Sequence, residues 1–208
     1  MRKNQMRTKG TIIMIGILVF FITANGQKME TSFGVKAGIN FATLANTQTE
    51  GVAFSPGLKT DAIVGVVCNF HFGHRNEGAP LGTGLFGIQT ELLYSRQGFT
   101  SKGETVNIDY FTLPILGKLY LTKEINVEAG PYIGYLLNVS PHEIMISGAQ
   151  INLSTLKGEL DAGLSIGAGY EMLSGLFIGA RYNWGLTEMS ANLPWRNSLT
   201  TISVGWMF

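Results

Sequence analysis

The sequence predicts an all-β protein: an eight-stranded antiparallel up-and-down transmembrane β-barrel preceded by a cleaved signal peptide. Three observations predict it. Hydrophobicity alternates with period two in eight successive stretches of the chain. Only 14% of the 208 residues are charged, against about 25% in ordinary globular domains. Yet beyond the N-terminus no apolar run approaches the roughly 18–20 residues of a membrane helix. A charge-poor chain without a spanning helix can live in lipid by closing its strands, so that no backbone group is left unpaired.

The N-terminal segment has the layout of an export signal. Arg2, Lys3, Arg7 and Lys9 form a basic region, and Thr11 to Thr23 carries no charge. That stretch is short for a membrane anchor but suits a signal core. Ala24-Asn25-Gly26 is a small-x-small cleavage signal, so residues 1–26 are expected to be a signal peptide and 27–208 one barrel domain. Cleavage removes four basic residues and no acidic ones, leaving 11 basic and 14 acidic residues and a formal charge of −3. A mildly acidic chain argues against nucleic acid as a partner. Cys68 is the one cysteine, so no internal disulfide staples the fold.

The eight strands are expected over 33–41, 60–72, 85–97, 107–120, 125–138, 159–171, 175–186 and 198–208. Most match the ~9–11 residues that cross a membrane with tilt. In the first, Phe33, Val35, Ala37, Ile39 and Phe41 oppose Gly34, Lys36, Gly38 and Asn40. The second puts Gly65 on the polar face and ends in Phe70 and Phe72 on the other. In the third, Phe86, Ile88, Thr90, Leu92 and Tyr94 oppose Gly87, Gln89, Glu91, Leu93 and Ser95. The fourth carries Lys118, and the fifth Glu128, Gly130 and Gly134, on the polar face. In the sixth, Leu160, Ala162, Leu164, Ile166, Ala168 and Tyr170 oppose Asp161, Gly163, Ser165, Gly167, Gly169 and Glu171. The seventh sets Tyr182 and Trp184 against Gly179 and Arg181. The eighth sets Ile202, Val204, Trp206 and Phe208 against Thr201, Ser203, Gly205 and Met207.

Glycine decides which face is inside. Solvated strand faces carry Thr, Lys and Glu, because glycine weakens a strand. Here the polar face holds glycine in seven of the eight strands. A narrow lumen needs small residues beside a few large ones. The apolar face, edged with aromatic rings where headgroups lie, is therefore expected to face lipid. The connections support this. Long ones are expected at 43–59, 98–106, 139–158 and 187–197, and short ones at 121–124 and 172–174. That is the asymmetry of outer-membrane barrels. The Gly/Pro-rich link 73–84 breaks it.

Charges on the polar face must pair inside a narrow barrel. Lys36, Lys118 and Arg181 face Glu91, Glu128, Asp161 and Glu171 as a lumen charge network, expected to plug the barrel rather than to form an ion path. Catalysis finds little support. His71 and His74 lack further ligands at metal spacing, and Ser140, His142 and Glu143 are mere sequence neighbours in a Pro-containing loop. No enzyme activity, cofactor, metal or phosphate-binding loop is expected.

Several segments resemble the PorT-like outer-membrane β-barrel proteins: FGVKAGINFA (33–42), QTELLYSRQG (89–98), IDYFTLPILGKLYL (108–121), EAGPYIGYLL (128–137), LDAGLSIGAGYEM (160–172) and GARYNWGLTEM (179–189). The resemblance covers essentially all of 33–208 and implies an eight-stranded barrel with no shared enzymatic activity and no catalytic residues. Phe208, ending Trp206-Met207-Phe208, resembles the signal by which barrel-assembly machinery recognises its clients. The expected location is the cell outer membrane. The expected partners are membrane lipids, the barrel-assembly machinery and envelope proteins met through long loops carrying Phe54, Trp195 and Arg196. The alternatives are a small solute or ion pore and a lipid-modifying membrane enzyme.

Overall fold

A computed structural model describes residues 29–45, 48–49, 52–53, 57–72, 86–101, 104–146, 149–152, 160–188 and 195–208. The expected signal peptide 1–26, the link 73–84 and Phe54 lie outside the described residues.

Eight strands form a closed barrel: β1 (Met29–Ala45), β2 (Lys59–Phe72), β3 (Phe86–Ser101), β4 (Glu104–Tyr120), β5 (Ile125–Ser140), β6 (Leu160–Glu171), β7 (Leu176–Gly185) and β8 (Arg196–Met207). Every neighbour pair is antiparallel and consecutive in sequence, and β8 returns to β1. Gly34↔Met207 through Ala45↔Arg196 zips the two ends of the chain, and Phe208 N donates to Phe33 O at 2.7 Å. Closure leaves no strand edge unpaired, which lipid demands.

The register fixes the barrel's dimensions. Stepping between partners along Thr31, Phe70, Ile88, Gly117, Ala129, Ile166, Tyr182 and Thr200 returns to β1 at Phe41, ten residues from the start. Eight strands with that stagger tilt at about 40° to the axis, and side chains fill so narrow an interior.

The faces alternate with opposite polarity to a soluble barrel. Lys36, Asn40, Asn69, Gln89, Glu91, Lys118, Asn126, Glu128, Ser165, Arg181 and Thr201 are buried inside. Val35, Ile39, Val64, Val66, Leu92, Ile115, Ile133, Ile166, Ile178, Ile202 and Val204 are exposed outside. The aromatic residues Tyr135, Tyr182, Trp184 and Trp206 join that outer surface.

Two details depart from the sequence expectation. The connection expected at 98–106 is strand: β3 and β4 remain paired through Ser101↔Glu104. Phe99, Val106 and Ile108 alternate onto the inner side and are fully buried there. In β5 the register shifts opposite Asp109 and Tyr110, whose partners are Asn138 and Leu136, leaving Leu137 as the extra residue of a bulge. The inward side accordingly passes from Leu136 to Val139. Of the remaining long connections, the first holds the short pairing of Gln48–Thr49 with Val52–Ala53, and the third that of Glu143–Ile146 with Ala149–Asn152.

Candidate functional site

Among the described residues, six lumen charges form one connected cluster. Arg181, on β7, donates from Nη1 and Nη2 to both oxygens of Glu91 on β3, at 2.7 and 2.8 Å. Its Nε donates to Glu128 Oε1 on β5 at 2.7 Å. Lys36, on β1, reaches the same Glu91 at 3.1 Å, and Gln89 Nε2 donates to it at 2.5 Å. Lys118, on β4, lies 3.9 Å from Glu128 and also pairs with Glu171 on β6. Tyr120 OH and Asn126 Nδ2 donate to the two oxygens of Glu171 at 3.1 and 3.2 Å. Asn69 Nδ2 donates to Tyr120 OH at 3.1 Å.

Register explains why these residues meet. Lys118 stands opposite Glu128, Glu128 opposite Gly167, and Gly167 opposite Arg181. A Cβ at Gly167 would lie 3.0 Å from Glu128 Oε1. Glycine between them lets the arginine and the carboxylate close on each other. Glu91 approaches this row from across the lumen. Three cations meet three anions, as the low dielectric of a sealed interior requires.

Asp161 is not part of this cluster. It shares the face of the lumen charges, but a face does not give height along the barrel. Its carboxylate accepts from neutral groups instead: Thr187 Oγ1 at 2.7 Å, Asn197 Nδ2 at 2.9 Å and Tyr132 OH at 3.2 Å. Tyr132 also lines a cavity of about 20 Å³ with Arg181, Ser95, Thr112 and Thr201. That is room for about one water molecule between the two polar groups.

Towards the end bearing the long connections the interior turns largely apolar, apart from Lys59, which is buried and pairs with Asp61. Ala42, Leu44, Phe99, Val106, Ile108, Leu136, Val139 and Leu199 are buried together with Trp195. The rings of Phe99 and Trp195 meet edge to face, 6.0 Å apart at 82°. This corrects the expectation for Trp195. It is 3% exposed and seated in the barrel mouth, so it is not a loop residue available to partners. A large ring at the foot of a connection finds an apolar socket because β3 and β4 continue past the expected loop boundary. Arg196 is half-buried and pairs with the exposed Glu188 at 3.4 Å. The sequence pattern missed this cap altogether; the alternation Phe99, Val106, Ile108 was its signal.

Phe208 is 75% exposed at the opposite end, its backbone held by Phe33. His71 is buried beside Tyr120, with ring centroids 4.6 Å apart. Ser140, His142 and Glu143 are exposed, and His74 lies outside the described residues.

The geometry places charged side chains inside, apolar side chains outside and an apolar cap at one mouth. Comparison with known proteins agrees with a membrane barrel. No curated protein matches the chain. Among solved structures, Neisserial surface protein A matches with a TM-score of 0.52 at 11% identity, covering 86% of this chain and 99% of that one. Ail, the attachment invasion locus protein of Yersinia pestis, matches at 0.48 with the same identity and coverage. The N-terminal barrel domain of Pseudomonas aeruginosa OprF matches at 0.38, with 11% identity over 86% of this chain and 100% of that domain. At such identity the first of these speaks to the fold alone. A family profile described as "Outer membrane protein beta-barrel domain" matches residues 24–191, and the chain belongs to that outer-membrane family.

Proposed function

We propose that this outer-membrane barrel is a non-enzymatic structural and interaction protein of the cell envelope, with a lumen that does not conduct. The observation that carries the reading is that the lumen is filled at two levels. The cluster of Arg181, Glu91, Glu128, Lys36, Lys118 and Glu171 spans it, and the packing around Phe99 and Trp195 closes one mouth. Contacts then fall to the extracellular connections, including the one with Phe54, and to the lipid-facing wall. An accessory role in a larger envelope complex belongs to the same reading. Lipids and the barrel-assembly machinery, addressed through Phe208, complete the partner set.

Reconstitution in planar bilayers tests the first half. The wild-type protein is expected to stay silent. Stepwise conductance that changes with E91Q would establish a pore instead. Affinity purification from the outer membrane tests the second half: envelope proteins are expected to co-purify, and exchanging the first connection for a Gly/Ser segment is expected to release them. Lipid A altered by the purified protein would replace this reading with a lipid-modifying enzyme.

A further inference from the structure

The lumen cluster is balanced without Asp161, so this buried carboxylate has no cation to compensate it among the described residues. Such a charge is costly unless several hydrogen bonds hold it. Its donors are placed to a pattern. Thr187 stands at the entry of the fourth extracellular connection, just beyond β7, and Asn197 at its exit, two residues into β8. Both donate to Asp161, while Tyr132 fixes the carboxylate from β5.

Each donor is itself held. Thr187 Oγ1 accepts from Ala162 N at 2.9 Å, which aims its hydroxyl proton at Asp161. The second Asn197 Nδ2 proton points to Tyr110 OH at 3.2 Å. Leu186 N and Thr187 N both donate to Ala162 O, at 2.9 and 3.3 Å, so the entry foot is laced to β6 at the same point. Two residues before Asn197, Trp195 enters the apolar cap.

We propose that Asp161 is a clasp that pins both feet of the fourth connection to β6 and thereby keeps Trp195 seated in the barrel mouth. Three donors converge on two oxygens, and only a carboxylate can accept from all of them. An asparagine offers one acceptor oxygen, and its amide would turn its hydrogens on Asn197 or Thr187. The clasp stands on these contacts whether or not the connection binds a partner.

Hydrogen exchange on the full-length protein in detergent micelles tests it. In D161N the amides of Leu186 and Thr187 are expected to exchange about tenfold faster, the effect of losing hydrogen bonds to a charged group. T187V, which leaves the carboxylate in place, is expected to act in the same direction. Amides of the mid-barrel partners Val67 and Glu91 are expected to be unchanged, and the heat-dependent gel mobility of a folded barrel to be kept. Unchanged exchange at Leu186 and Thr187 in both variants overturns the proposal. So does loss of the whole barrel in both, because a clasp acts locally.

Discussion

Glu91 is the residue on which the lumen turns. It accepts from Arg181 through two hydrogen bonds, from Lys36 and from Gln89, with its side chain wholly shielded from water. Removing one partner of a buried ion pair costs more than the pair was worth, because the remaining charge stays buried. E91Q leaves Lys36 with no other carboxylate in ion-pair range among the described residues, and Arg181 with Glu128 alone. The expected loss is about 3–5 kcal/mol, read from denaturant unfolding in lipid vesicles. R181M combined with E91L removes both members of the pair and is expected to lose less than the two single changes summed. Additive losses would show that the two side chains act independently. The sequence made the inward side of Glu91, Arg181, Lys36, Glu128, Lys118 and Glu171 legible, because alternation assigns a face. It did not reveal that Asp161 stands apart, because height along the barrel comes from register between strands, and register is not written within any single strand.

At the scale of elements, most strands were legible from alternation, and the misreading fell where polarity inverts along one strand. From Gln89 to Gln97 the inner face of β3 is polar apart from Leu93; at Phe99 it is apolar. A search for one polar and one apolar face therefore stops too soon and takes Gly98 to Val106 for a loop. Gly98, at φ 141°, adopts a conformation that other residues rarely take, and a Cβ there would lie 1.9 Å from Val106 O, so glycine is what lets the hairpin stay paired at this point. Trp195 fills the socket this hairpin makes. W195A is expected to cost about 3–5 kcal/mol and to make the fourth connection sensitive to external protease on intact cells, while the barrel persists. Protease resistance equal to wild type would argue that the connection is held without the ring. The closing strand carries a separate expectation. Phe208 pairs through its backbone with Phe33 yet leaves its ring exposed. Deleting it is expected to lower the folded fraction reaching the outer membrane in cells, while the purified protein refolds normally in detergent. Equal loss in both settings would assign Phe208 to closure of the barrel rather than to recognition during assembly.

For the whole molecule, one inversion sets everything else: apolar side chains face out and charges face in. Glycine on the polar face gave the argument from sequence, and its physical basis is visible at Gly167, where a Cβ would lie 2.7 Å from Ala180 O and 3.0 Å from the Glu128 carboxylate. The inversion also positions the membrane. On β1 the outward residues Phe33, Val35, Ala37, Ile39 and Phe41 are apolar, and Thr31 and Thr43 bound them. Nine residues at the tilt of this barrel rise about 20–25 Å, the height of the apolar band of an outer-membrane barrel. Ala37, opposite Val64 and Val204, lies at the centre of that band. An arginine there must shed its hydration or deform the bilayer, whereas one at Thr43 reaches the headgroups. A37R is therefore expected to cost about 2–4 kcal/mol and T43R about 0–1 kcal/mol, measured by reversible unfolding in vesicles. Both positions face outward on the same strand, and strand propensity would make loss of the β-branched Thr43 the costlier change, so it does not predict a larger cost at Ala37. Only depth in lipid does. Equal costs at the two sites would mean that the membrane does not surround the barrel at the level of Ala37, and the span inferred from Phe33 to Phe41 would have to be moved.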